Sequence, residues 1–246
     1  MCFTWAGTMG GLGWMAWGDR VGEVVRPERC VVAVDGPSGS GKSTVSRRLA
    51  MDLDGVYLDT GAMYRAVTWA VLEAGGDLSD PDFIAKVALE AELTVGTDPR
   101  APHFRANGVD VDAAIRGPEV TGAVSAVAAV PAVRRHLVGQ QQAIIARHPR
   151  IVVEGRDIAS VVAPDAELKV YLTASPEARA QRRSKEDAAD VTATQADLER
   201  RDKLDSSRTA DPLRQAGDAI EVDTTGMSID EVVVRLRELL SSKVQA

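Results

Sequence analysis

The sequence predicts an α/β fold: a five-stranded parallel sheet with helices on both faces, a small inserted antiparallel subdomain and a lid. Three observations carry this. Short continuous apolar runs, of the kind buried on both faces of a sheet, recur at CVVAVDG, VYLD, IVVEG, LKVYLTA and AIEVDTT. Helical pattern separates them, as crossovers between parallel strands require. Between the second and third runs, residues 78–122 change to alternating LTVGT, HFRANG and VDV segments broken by Asp98-Pro99 and Asn107-Gly108, the pattern of antiparallel strands and turns.

Composition bounds the rest. With 246 residues the chain suits one such core with insertions, expected over 29–246. Acids outnumber bases 36 to 29, for a net charge of −7, which gives no sign of a nucleic-acid polymer as partner. Against that background, five arginines and a single acid, Glu154, between Arg134 and Arg156 suit a small anion. The two cysteines, Cys2 and Cys30, support neither a disulfide framework nor a metal cluster and fit a reducing cytoplasm. The longest apolar runs fall short of a membrane span. Residues 1–28 lack the positive start of a signal peptide, hold three of the four tryptophans, and are expected to form a poorly ordered extension. A monomer is expected, since no coherent exposed apolar face stands out.

Taken in chain order, the first strand ends in Gly36 and runs into GPSGSGKST, then into the helical STVSRRLAMDL. Strand, glycine-rich loop and helix in that order match G-x-x-x-x-G-K-[ST], the phosphate-binding loop. Small residues at Gly36, Pro37, Ser38, Gly39, Ser40 and Gly41 let backbone N–H groups wrap a phosphate chain. Lys42 then spans the outer phosphates of ATP, Ser43 offers a hydroxyl to Mg²⁺, and Thr44 completes the cradle. The second strand ends in LDTGAMYR, where Thr60 is a possible helix cap and Tyr64 and Arg65 follow on the first turns. An acceptor phosphate could dock there, although from the pair alone a packing tyrosine beside a solvated arginine is the better reading.

IVVEGRDIA sets Glu154, Arg156 and Asp157 at the carboxyl end of a parallel strand, where ligands of open α/β sheets collect; an internal ion pair is the alternative. The polar stretch 184–197, between arginine-bearing helical segments, reads as a mobile lid. Beyond it, LERRDKLDSSR places Arg201, Asp205 and Arg208 on one face if the helix extends that far. That spacing, like Arg179, Arg182 and Arg183 before the lid, also suits a solvated salt-bridge ladder. AIEVDTT supplies the last strand and residues 228–240 an amphipathic closing helix. His103, His136 and His148 lie outside every motif and are expected in surface or packing roles.

VDGPSGSGKSTVSRRLA, LDTGAMYR, VEGRDIASVVAPDA and RRDKLDSSR, in this order from about Val31 onward, resemble the bacterial cytidylate kinases, P-loop enzymes that phosphorylate CMP and dCMP with ATP. The resemblance implies the five-stranded kinase core, the lid, and an acceptor region enlarged by a small antiparallel sheet. By motif, Ser125, Arg134 and Asp157 correspond to cytosine-reading groups. Thr60, Tyr64, Arg65, Arg156, Arg201, Asp205 and Arg208 would surround the acceptor's sugar and phosphate, with Lys42, Arg156, Arg201 and Arg208 stabilising the transferring group. The chain departs from the family pattern at Ala159, Ser160 and Ala163, and carries Glu154 and Thr60 where aspartate and serine are frequent. From the residues alone, a P-loop kinase with another small acceptor and a regulatory ATPase switch stay open as rivals.

Overall fold

A computed structural model describes residues 27–187 and 190–244. The expected N-terminal extension therefore lies outside the described residues up to position 26. Five strands form a parallel sheet: β1 (Cys30–Asp35), β2 (Val56–Asp59), β6 (Arg150–Gly155), β7 (Leu168–Thr173) and β8 (Ile220–Asp223). Their order is β2-β6-β1-β7-β8, so the phosphate-loop strand is central. Register aligns Asp35 with Gly155, and Asp59 with Glu154, so three carboxylates reach one edge of the sheet together.

β1 and β6, side by side in the sheet, are buried on both faces, which is why β1 reads as an unbroken apolar run. Its side chains alternate between two cores. Val31 and Ala33 pack with Leu58, Val153 and Met63 of α2 (Thr60–Glu73), together with Leu137 of α5 (Pro131–Ala146). Val32 and Val34 pack with Leu49 of α1 (Lys42–Asp52) and with Leu236 and Leu240 of α8 (Ile229–Val244). None of the described helices is long and apolar enough to cross a membrane.

The stretch expected to be strands and turns begins instead with α3 (Pro81–Glu90). Asp80 caps it, accepting from the backbone N–H groups of Asp82 at 2.9 Å and Phe83 at 3.2 Å, and Pro81 occupies its first turn. The antiparallel sheet follows as β3 (Leu93–Val95), β4 (Phe104–Ala106) and β5 (Val109–Asp110). Asn107 and Gly108, both at positive φ (51° and 77°), make the tight turn their sequence announces. A 3-10 turn over Ala114–Arg116 leads into α4 (Pro118–Ala129), which with α5 returns the chain to β6. Residues 184–187 and 191–197 are helical, ending α6 (Pro176–Asp187) and beginning α7 (Val191–Ser207).

Candidate active site

Loop 36–44 is shaped by glycines that nothing else could replace. At Gly36, φ is +146°, and a Cβ would stand 2.0 Å from the Leu172 carbonyl oxygen. Gly41, at φ +89°, caps α1 without a side chain, so the N–H groups of the first turn face the cleft with no capping oxygen. Lys42 folds back over the loop, donating to Pro37 O at 2.7 Å. Burial, then the neighbouring Arg156 charge, pushes its ammonium down to about 7, while Glu154, Asp35 and Asp202 pull the other way. Ser38, Gly39, Gly41, Lys42, Ser43 and Thr44 line the cleft. Gly36, Pro37 and Ser40 support the loop from behind: the Ser40 carbonyl accepts from Thr224 Oγ1 at 3.2 Å, which fixes the loop to the end of β8.

The strand-end carboxylates have separate duties. Asp35 accepts from Ile158 N and Ala159 N, each at 2.8 Å, and so anchors the π-helical turn Ile158–Val162 after β6. Asp59, rather than Thr60, is the cap of α2, accepting from Ala62 N at 2.8 Å. Thr60 is the first helical residue, and its hydroxyl donates to the Glu154 carbonyl at 2.7 Å. The Glu154 side chain accepts from Tyr57 OH and meets the Ser43 hydroxyl. Burial, then the nearby Asp59 charge, pushes its carboxyl up to about 7. Two crowded carboxylates beside a hydroxyl at the mouth of the phosphate loop are a donor set that a hard divalent cation fits.

Across the cleft stands a wall of cations. Arg65 donates to Ile115 O at 2.8 Å and Thr121 Oγ1 at 2.9 Å, and burial, then Arg201 and Arg183, lowers it to about 9. Arg156 donates to Asp205 at 3.1 Å. Arg201 lies on α7, whereas Arg208 is the residue that caps it, so the helix stops one position short of the expected face. Both line the cleft with Asp205. The Nε atoms of Arg201 and Arg208 and the hydroxyl of Tyr64 are buried with no hydrogen-bond partner among the described residues. Buried donors without a protein partner, on residues that line one cleft, suit an anionic ligand. The solvated ion pair on this helix is instead that of the neighbouring Arg200 with Asp197, on the exposed side at 2.9 Å.

Arg134, 2% exposed, lies 5.4 Å from the centre of the Tyr64 ring and bonds to Asp157. Ser125 of α4 lines the same corner with Val124 and Ala128. One cleft thus brings together all the acceptor-side residues singled out from sequence. It adds Asp59, which lies in LDTGAMYR but carries no role in the sequence reading, and Arg116, which lies in no motif. Asp202 was also missed. It takes the Ser38 N–H at 3.3 Å and bonds to Arg179, tying α6 and α7 to the loop.

A buried lysine over an uncapped helix start, facing arginines across one cleft, is the arrangement of a P-loop phosphotransferase. The comparisons with known proteins carry this further. The cytidylate kinase family model matches residues 32–242. Similar relatives are the cytidylate kinases of Nocardia farcinica (53% identical over 219 residues, 87% of this chain and 94% of that one) and of Streptomyces avermitilis (50% over 215 residues, 87% and 93%). That of Rhodococcus opacus is 53% identical over 218 residues, 87% and 95% of the two chains. The chain belongs to the cytidylate kinase family, and with that membership it is a kinase of pyrimidine nucleotide metabolism, transferring a phosphoryl group from a nucleotide donor to CMP or dCMP.

Proposed function

We propose that the donor is ATP with Mg²⁺ and that the cleft aligns its γ-phosphoryl for direct in-line transfer to the phosphate of CMP or dCMP. The observation that carries this is the opposition of Lys42 and the uncapped start of α1 to the unfilled Nε donors of Arg201 and Arg208 across one cleft. The acceptor phosphate oxygen is already anionic at neutral pH, so alignment and charge stabilisation suffice and no general base is assigned. Lys42, released from Pro37 O by a better acceptor, follows the donor phosphates. Arg156, Arg201 and Arg208 neutralise charge on the transferring group, with Arg65 and Tyr64 holding the acceptor phosphate.

The same reading gives Thr60 and Asp205 to the acceptor sugar. It gives Ser125, Arg134 and Asp157 to cytosine, whose amino group suits a carboxylate and whose O2 and N3 suit a guanidinium. Mg²⁺ would be held from the protein side by Ser43, beside Glu154 and Asp59, and would supply charge neutralisation between the donor phosphates. The α6–α7 segment about 184–197 serves as the lid, residues 78–122 as the acceptor-side insert, and the enzyme works as a cytoplasmic monomer without nucleic-acid or membrane partners.

The test is ADP formation from Mg-ATP with CMP, dCMP, UMP, AMP or no acceptor. CMP and dCMP are expected to stimulate turnover most. Lys42→Ala is expected to lower kcat on the order of a hundredfold to a thousandfold, and Arg134→Ala to raise KM for CMP by about tenfold to a hundredfold. Equal turnover without any acceptor would favour a switch ATPase, and stimulation by UMP or AMP alone would discard the base-reading residues.

A further inference from the structure

Arg134 is held from behind as well as from within the cleft. Its Nη2 reaches Asp157, which lines the cleft, but its Nε donates at 2.8 Å to Asp211, which is not among the cleft-lining residues. Its Nη1 is 3.4 Å from the Ala128 carbonyl. We propose that Asp211 is a positioning residue for base selection: it locks the Arg134 guanidinium in the one orientation that favours cytosine over uracil. This rests on the reading of Arg134 as a cytosine-facing group.

The geometry argues for a built device. Asp211 sits at φ +47°, a left-handed conformation uncommon outside glycine that aspartate can adopt, and it is tied down there. Three contacts hold it. The Asp211 carbonyl accepts from Arg208 Nη2 at 2.8 Å. Two residues on, Leu213 N donates to the Asp205 carbonyl at 2.9 Å, and the Leu213 side chain is buried. Residues 208–213 therefore fold back against α7 and present one carboxylate to an arginine 77 positions earlier in the chain. The same short segment begins with Arg208 and bonds through Leu213 N to the Asp205 carbonyl, so the sugar-side and base-side groups are mechanically joined.

Orientation matters because a guanidinium offers donors only. Cytosine presents acceptors at O2 and N3; uracil presents N3–H, a donor, at the same place. A guanidinium pinned at Nε and Nη2 cannot turn its remaining N–H groups away from that N3–H, so uracil meets donor against donor. Without Asp211 the side chain retains Asp157 and the long contact with the Ala128 carbonyl, but it loses the anchor at Nε and can pivot. Discrimination then loosens, and affinity for the matching base falls with it.

The experiment is steady-state kinetics of the full chain and of Asp211→Ala and Asp211→Asn, with CMP and UMP varied at saturating Mg-ATP and Mg-ATP varied at saturating CMP. In Asp211→Ala the KM for CMP is expected to rise about tenfold, the CMP-to-UMP ratio of kcat/KM to fall by a similar factor, and the KM for ATP to move less than about twofold. Asp211→Asn, which keeps an oxygen for the Arg134 Nε–H, is expected to recover most of the ratio. An unchanged ratio in both variants would overturn the proposal, as would parallel losses toward CMP and ATP, the mark of a general loss of fold. A lower KM for CMP would overturn it too, by making Asp211 a competitor for Arg134. Wild-type turnover that CMP fails to stimulate is a separate result: it would remove the acceptor reading itself, and this inference with it.

Discussion

At the scale of single residues, the chemistry is set by where buried charge is tolerated, and Asp35 gives a clean way to measure it. Its carboxylate ends β1 and accepts two backbone N–H bonds, yet burial outweighs those bonds and raises its pKa from 3.8 to about 6. A group with a raised folded-state pKa contributes stability fully present below its unfolded pKa and lost as pH rises through the folded one. For Asp35 the loss therefore falls between roughly pH 4 and pH 6, and a shift of this size corresponds to on the order of 3 kcal/mol. Asp35→Asn does not titrate and still offers one oxygen to the π-turn. The advantage of wild type over this variant, from urea unfolding, is expected to shrink by about 2–3 kcal/mol between pH 4 and pH 7.5; an advantage that grows with pH would refute it. Residues of this kind divide sharply by legibility. Gly36, Lys42 and Ser43 are readable because the chemistry needs them at fixed spacing within one loop. Asp202 and Asp211 are not, because each acts on a partner 164 or 77 positions away, and no local pattern encodes that contact.

At the scale of elements, the parallel sheet was readable because every strand of it is an apolar run between helical segments. The antiparallel insert was readable from Asn107-Gly108. Its opening helix was passed over because Asp80-Pro81 reads as a turn as well as a cap, and the apolar positions Phe83, Ile84, Val87 and Ala88 declare a helical period only over a short span. The arginine-bearing flanks of the α6–α7 pair are legible as helical, whereas residues 184–197 read only as a polar lid; helix propensity and the Asp190 cap, which accepts from Ala193 N at 2.9 Å, shape α7 there without an apolar stripe. Its attachment is consequently ionic: Arg179 with Asp202, and Asp202 with Ser38 N–H, the very group a donor phosphate would want. Replacing a carboxylate by a phosphate there, and adding the acceptor under Arg201, should shift this pair of helices as a unit. Amide hydrogen exchange along α6 and α7 is expected to slow when a non-hydrolysable ATP analogue and CMP are added together, and less with either alone, while the buried amides of β1 hold constant. Equal exchange in all four states would remove the lid assignment.

At the scale of the whole molecule, a chain of net charge −7 lines a single cleft with Lys42 and a cluster of arginines, and the fold holds them against their own repulsion. Arg65 and Arg201 are both lowered by burial first and by neighbouring arginines next, so the site is electrostatically unfavourable without an anion. Arg201 also buries an Nε–H with no partner among the described residues. The two cores on either face of the sheet supply the stability that tolerates this, and none of the leucines and valines of α1 and α8 in the second core lines the cleft. The expected consequence is a trade between heat stability and turnover. Arg201→Met keeps the length and the packing while removing an unsatisfied donor and a repulsive charge, so the ligand-free variant should unfold about 2–4 °C above wild type. The same substitution should lower kcat/KM for CMP at least about a hundredfold and abolish most of the thermal upshift that CMP gives wild type. A variant that loses activity and melts lower would mean that Arg201 holds the fold together, and that the wall's repulsion is already relieved within the protein by Asp205 and Asp202.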